Sequence, residues 1–591
     1  MVPAADILIP DEKNAVYNPD DGFFKKLLKP YYIVTRDGQY LFASFQPGRR
    51  PDRVFYMTPS GYRLGKGQRS FDVEIGRKLY EVVMDYLKNC KVIVQDRVHG
   101  ESGYRAGIRI VTSIENPHSA YMAWTGKLMT FPPKNVKPRC FNYIVQERLP
   151  RKYIKRIKNF WPEFDPDEPL TLFDLTEIGN DIRRVINLRI DYFGGAYKKP
   201  NLTMVWNRAE SMGMISYHAG CTRKRTLKGL SGTGKTTLTV GPDLEQDDAL
   251  VGKPLYKGKK VRGVKLIGLE AASFAKSEGL DAKSPEWPGL MSSKKGKTVL
   301  AMNIDCDGVK FVSKKINGFL VRVPEISGRK AGSFNCKSYK KSGTTNGRFV
   351  FSFTVLNKNW GKRKKYLKVE SLSFRRFDIM EPVFRVTDPK MAVALDSACE
   401  SVITSAVAGR KPGERVRSYA ATDFMAREQS EQALLKWKVY GDLGLGLKGK
   451  LIFFINNSGY IGECNLKGKI VGKGEKIRVE DSTRLIHLIE NNRIKKWIKH
   501  PVFGYLIPDP FELEQRGIKK FRERFNPLRF YTPREFLKFC RRDINERTKF
   551  LKGLFKGQRG EKKLKSIIEV WKKCKIPEER KIKDFYRVHY S

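Results

Sequence analysis

Between Phe71 and Cys90 the apolar residues Leu79, Val82, Val83, Tyr86 and Leu87 recur three and four apart, a spacing that predicts one buried face of a helix. The run KVIVQD follows directly and IRIVTS comes soon after, both dense in β-branched residues, so the opening third reads as a helix feeding strands. From Met212 onward strands dominate: MISYH, KVRGVKLIG, KTVLAMNI, GRFVFSFTV and KLIFFIN stand apart, separated by turn-forming clusters. Near the end, Thr532-Pro-Arg-Glu535 has the form of a capping box with proline at the first helical position, and Leu537, Cys540, Ile544 and Leu551 share a face behind it. The basic stretch after Gly557 is again amphipathic and is expected to dock on the body of the protein. The pattern predicts an α/β (mixed α+β) architecture in two lobes: 1–211, then 212–511 with a Lys-, Ser- and Gly-rich insertion at about 294–368 forming hairpins, then a basic helical segment at 512–591.

Composition supports packed cores, since 40% of the 591 residues are hydrophobic and 12% aromatic, a length that suits two to four domains of about 150 residues each. Charge changes the picture more. Lys and Arg number 114 against 63 acids, a net +51, which draws polyanions toward the surface. The charge makes nonspecific attraction of nucleic acid a candidate property, set against a merely solvated lysine surface; no RNA-binding aromatic signature accompanies it. Nine cysteines without a C-x-x-C pair argue against a zinc ribbon. The opening MVPAADILIPDEKN lacks a basic stretch followed by an apolar run, and no segment approaches the roughly 18 apolar residues a membrane span needs, so a cytoplasmic chain is expected.

The sharpest motif is Gly229-Leu-Ser231-Gly232-Thr233-Gly234-Lys235-Thr236-Thr237, which satisfies G-x-x-x-x-G-K-[ST]. Glycines there let backbone N–H groups turn toward phosphate oxygens, Lys235 reaches the outer phosphates, and the Thr236 hydroxyl suits magnesium. Asp247 and Asp248 follow as a carboxylate pair of the kind that holds hard cations beside a triphosphate. The lead-in, Thr222 to Lys228, is so charged that it suits an edge strand better than a buried one.

The wording GLSGTGKTTL closely resembles the kinase signature of ATP-type phosphoenolpyruvate carboxykinases, and other stretches resemble that family in the same order. Phe193 to Lys199 resembles its lysine motif, with Phe193 where the family has a substrate-facing tyrosine and Tyr192 beside it. PGRRPDRVFYM, EPVFRVT, AASFAKSEGL and KIRVEDSTRLI resemble further family segments, and the likeness fades after about residue 555. The resemblance implies a two-lobed carboxykinase-like fold with the phosphate loop in the C-terminal lobe. It implies manganese on Lys199, His218 and Asp248, with magnesium on Thr236 and Asp247. It implies Arg49, Tyr192, Phe193, Lys199 and Arg385 as substrate contacts and Lys276, Lys476 and Thr483 as nucleotide contacts. The implied reaction converts oxaloacetate and ATP into phosphoenolpyruvate and carbon dioxide. Two alternatives stand beside it: a kinase of the same fold with another acceptor, or with GTP or pyrophosphate as donor, and a nucleic-acid-binding protein on that fold. The sequence leaves the oligomeric state open.

Overall fold

Val92, Val94 and Val111 enter one hydrophobic cluster while Ile93, Ile108 and Ile110 enter another, because alternate side chains of a strand point to opposite faces of its sheet. A sheet covered on both faces needs apolar residues at nearly every position, which is what KVIVQD and IRIVTS supply. In the computed structural model these runs are Val92–His99 and Ala106–Ser113, paired antiparallel inside a seven-stranded sheet, and the predicted helix before them is α1, Val73–Lys88. Asp72 caps α1 by accepting from the Ile75 amide, and Leu79, Val82, Val83, Tyr86 and Leu87 are buried as the spacing requires. The structure describes residues 12–230, 232–336, 346–402, 414–462, 464–466, 469–471 and 474–591.

The contacts divide the chain into two units: Met1–Met212 with Ile267–Lys358 and Asp423–Arg427, and Gly213–Leu266 with Asn359–Thr422 and Glu428–Ser591. The protein is thus a mixed α/β chain, as expected; the expected division at 211/212 falls one residue from the break after Met212, whereas the later stretches are shared between the units differently from expectation. The stretch at 294–368 is no insertion in the second unit: Leu300–Met302 pairs with Tyr40–Phe42 and with Arg348–Ser352 in a five-stranded sheet of the first unit. Its basic hairpin, Val309–Ile316 against Phe319–Ile326, turns on Asn317 and Gly318, both at positive φ (49° and 83°), the backbone that an Asn-Gly turn provides. Part of that stretch, 337–345, lies outside the described residues. In the first unit, α2, Lys199–Ser211, follows directly on a single π-helical turn, Gly194–Lys198.

The second unit is organised on a ten-stranded sheet that includes β1 (Ile215–Cys221), β2 (Arg225–Lys228), β3 (Ala249–Lys257), β4 (Val369–Phe374), β5 (Val383–Arg385) and β6 (Ile452–Asn457). Their spatial order is β3-β1-β2-β4-β6-β5. The charged lead-in to the phosphate motif is therefore not an edge strand: β2 lies between β1 and β4, and all four of its residues are buried. Its charges are neutralised in place. Arg225 Nε lies 2.7 Å from Glu490 Oε1, and Lys228 is clamped by Glu370 and Asp396, with Lys436 also on Asp396. A paired charge tolerates burial that an isolated one would not.

Helix α3, Gln429–Leu443, precedes β6, and the C-terminal region adds α4 (Pro533–Phe555), α5 (Glu561–Ile568) and α6 (Glu579–Tyr590) to the same unit. The Thr532 hydroxyl accepts from the Glu535 amide at 3.2 Å while the Glu535 carboxylate accepts from the Thr532 amide at 2.8 Å, the predicted capping box. Leu537, Cys540 and Leu551 are buried and Ile544 half-buried. Residues 512–591 do not stand apart: Leu564, Ile567 and Trp571 are buried, so the tail docks as expected. Among the described residues no helix is long and apolar enough to cross a membrane.

Candidate phosphate and metal site

The geometry begins with strand register. β1 runs antiparallel to both neighbours, placing Ala219 opposite Lys228 of β2 and His218 opposite Ala249 of β3. The Gly229 turn leaving β2 and Asp248 entering β3 are thereby brought to one end of the sheet, with the Ala219 amide donating to the Asp248 carbonyl at 3.0 Å. On that frame His218 Nε2 lies 2.8 Å from Asp248 Oδ1, and Lys235 Nζ lies 3.4 Å from the same oxygen. His218 Nδ1 lies 3.1 Å from the Ala420 carbonyl, so both ring nitrogens face acceptor oxygens, one a carbonyl and the other the Asp248 carboxylate. Asp247, the other carboxylate of the pair, is buried beside it.

The turn itself depends on glycine. Gly232 and Gly234 hold φ values of 82° and 80°, which side-chain-bearing residues rarely adopt. A Cβ on Gly229 would collide with the Thr233 hydroxyl and come within 2.8 Å of the Ser373 carbonyl. After Gly234 the chain closes a single helical turn, with the Leu238 amide donating to the Gly234 carbonyl at 3.0 Å and the Val240 amide to the Thr236 carbonyl at 2.8 Å. Thr233 braces the turn: it is fully buried, its hydroxyl donates to the Leu230 carbonyl and its own carbonyl accepts from Ser373 Oγ at 2.6 Å. Lys235 and Thr236 are half-buried and Thr237 exposed, while Ser231 lies outside the described residues.

An arginine that sequence reasoning missed completes this end of the unit. Arg375, directly after β4, donates from Nη1 to the Gly232 carbonyl at 3.0 Å, and burial pulls its guanidinium below the ordinary value. It sits 5.5 Å over the Phe377 ring, which meets Tyr460 edge-on at 5.1 Å, and Tyr460 pairs in register with the exposed Lys476. The expected nucleotide residue Lys476 is thus joined to the loop through Tyr460, Phe377 and Arg375. Thr483 is exposed on the helix Val479–Glu490.

Arg385 is the last residue of β5. It pairs with Phe454 of β6 and its Nη2 donates to the Gly446 carbonyl at 3.0 Å. β2, β4 and β6 run parallel, so the chain enters β6 and leaves β2 for the glycine loop at opposite ends of the strands. Burial also lowers the Arg385 guanidinium, and Trp497 faces it at 5.8 Å. The charge is stabilised there by a carbonyl and a ring.

The remaining candidates belong to the first unit. Lys199 Nζ and the Arg49 guanidinium lie 4.3 Å and 4.5 Å from the centre of the same Phe424 ring, and Arg49 Nη2 is 3.3 Å from Asp423 Oδ2. Two residues expected to handle substrate are therefore neighbours, joined by an aromatic ring that nothing in the local sequence announced. Lys198 is fully engaged, its Nζ 2.6 Å from Glu270 Oε1 in a buried pair. Phe193 is completely buried, its ring stacked on Tyr197 at 5.2 Å and tilted against Phe274 at 5.3 Å. Its ring is a core group, which removes it from the substrate contacts. Tyr192 is buried too, its hydroxyl accepting from Asn346 Nδ2 at 3.0 Å. Lys276 pairs in register with Arg348, and burial together with that like charge lowers its ammonium.

No family model matches the chain. Among the described residues no group of three or more His, Cys, Asp and Glu side chains is arranged to hold an ion. His218 and Asp248 bring an imidazole nitrogen and a carboxylate oxygen within 2.8 Å of each other.

Proposed function

We propose that the chain has a carboxykinase-like fold and is a phosphoenolpyruvate carboxykinase, converting oxaloacetate and ATP into phosphoenolpyruvate, carbon dioxide and ADP. The observation that carries the reading is the meeting of His218 Nε2 and Lys235 Nζ on one oxygen of Asp248 beside the glycine turn. A phosphate loop alone would support any nucleotide site; an imidazole–carboxylate pair touching its lysine supports one that handles an ion and a phosphoryl group together.

One divalent ion on His218 and Asp248 and a second on Thr236 and Asp247, as the resemblance nominates, would supply Lewis-acid stabilisation of developing negative charge. The chain's own groups do the rest. The turn from Gly229 to Thr237 cradles the triphosphate and Lys235 neutralises its outer oxygens, while Arg375 fixes the turn through Gly232. Arg49 offers a planar two-point grip for a substrate carboxylate. The carbon–carbon bond to the departing carboxylate breaks, its electron pair passes to the enolate oxygen, and that oxygen displaces ADP from the γ-phosphorus.

A second reading keeps the phosphoryl transfer and changes the acceptor or the donor. The burial of Phe193 favours it, because the residue at the family's tyrosine position reaches no substrate. In a coupled assay pairing oxaloacetate and other acceptors with ATP, GTP and pyrophosphate, the carboxykinase reading expects metal-dependent phosphoenolpyruvate from oxaloacetate and ATP. Lys235→Ala and His218→Ala should each lower kcat by about a hundredfold or more. Turnover with another acceptor and none with oxaloacetate would defeat it. The reading places the protein in the cytoplasm, and the described cysteines, all of them free thiols, suit a reducing compartment.

A further inference from the structure

The positive charge is not spread evenly over the C-terminal helices. On α4 the residues Arg534, Lys538, Arg541, Lys549 and Lys552 are all exposed, and Lys556 continues the series at the C-cap. At about 100° per residue the five helical positions fall within an arc of about 80°, and at about 1.5 Å per residue they extend for about 27 Å. The acids of α4 are committed elsewhere. Glu535 closes the capping box, Asp543 lies in a buried cluster with Arg376, Arg417 and Arg547, and Glu546 binds Arg415 and Arg417. Among the described residues, none of the six stripe cations forms an ion pair.

A straight row of cations, of which only Lys538 has an acid of the same helix, Glu535, close enough to interact with, calls for an equally regular row of anions. Lipid is the poorer match, because the apolar face of α4 is already buried and no apolar side remains to enter a membrane. Single strands are usually held by aromatic platforms beside the cations, and the arc contains only the five cations and Asn545. We propose that this face of α4 binds double-stranded DNA through its phosphates, without reading the bases. The proposal is independent of the reaction at the glycine loop, since it rests on a different element and different residues.

The test is fluorescence anisotropy with a labelled mixed-sequence duplex of about 20 base pairs, titrated across about 50 to 200 mM salt. Parallel arms use single-stranded DNA, double-stranded RNA and vesicles containing phosphatidylserine. Duplex DNA should bind most tightly, and its affinity should fall about a thousandfold across that range if all six cations contact phosphate. The combined variant Lys538→Ala, Arg541→Ala, Lys549→Ala, Lys552→Ala should bind more than about tenfold more weakly and lose about 0.9 of salt slope per contact removed. The charge-keeping pair Lys549→Arg, Lys552→Arg should bind as wild type does, and unchanged melting of both variants shows that folding is intact. Equal binding by wild type and the alanine variant, or tighter binding to any of the three parallel probes, would overturn the proposal.

Discussion

Gly229 and Gly241 make a controlled pair. A methyl group on Gly229 would strike the Thr233 side chain and the Ser373 carbonyl, whereas one on Gly241 meets nothing within 4 Å. Gly229→Ala should therefore weaken ATP binding by about tenfold or more, the 1.4 kcal/mol scale of a mild steric displacement, while Gly241→Ala binds normally; calorimetric titration with ATP reads the difference. Arg375→Ala should weaken ATP binding as well, because it removes the bond that fixes Gly232. The loop glycines were legible in the sequence because their requirement is local. Arg375 was not, since the carbonyl it holds lies 143 positions away in the chain. Phe424 escaped notice for a similar reason: it belongs to Asp423–Arg427, a short segment that returns to the first unit. Phe193 was misread because a motif position carries no record of burial.

Among the elements, those fixed by near neighbours were readable: α1 from its apolar spacing, and α4 from four residues that set both its cap and its first turn. β2 was misplaced because its charges argue for exposure until their partners are known, and Glu370, Asp396 and Glu490 all lie far from it in sequence. The docking of α6 offers a test in pH. Burial raises the Glu381 carboxyl to about 7 from 4.5, although the Tyr586 and Tyr590 hydroxyls, 3.0 Å and 3.1 Å away, pull the other way. A raised carboxyl favours the folded state while it stays protonated. That contribution is complete below the unfolded value of 4.5 and is lost as pH rises through about 7. Wild type should therefore lose about 3 kcal/mol relative to Glu381→Gln between those two pH values. Urea unfolding of both proteins at each end of the window checks the sign and the size.

For the whole molecule, the net charge of +51 describes the surface rather than the interior. Inside the second unit Arg376, Arg415, Arg417 and Arg547 meet Asp378, Glu400, Asp543 and Glu546 in a buried cluster that neutralises itself. Composition revealed the excess without revealing where it was spent, and the linear order of segments concealed that each unit is assembled from three separate stretches. The same long-range pairing sets His218 and Asp248 side by side across β1 and β3. Titration of manganese in the presence of ATP, followed by the electron paramagnetic resonance of free ion, tests that pairing most directly. Wild type should bind one ion tightly, Asp248→Asn and His218→Ala should each bind it at least about tenfold more weakly, and Lys235→Ala should lose affinity for ATP. Unchanged manganese affinity in both ligand variants would contradict the account.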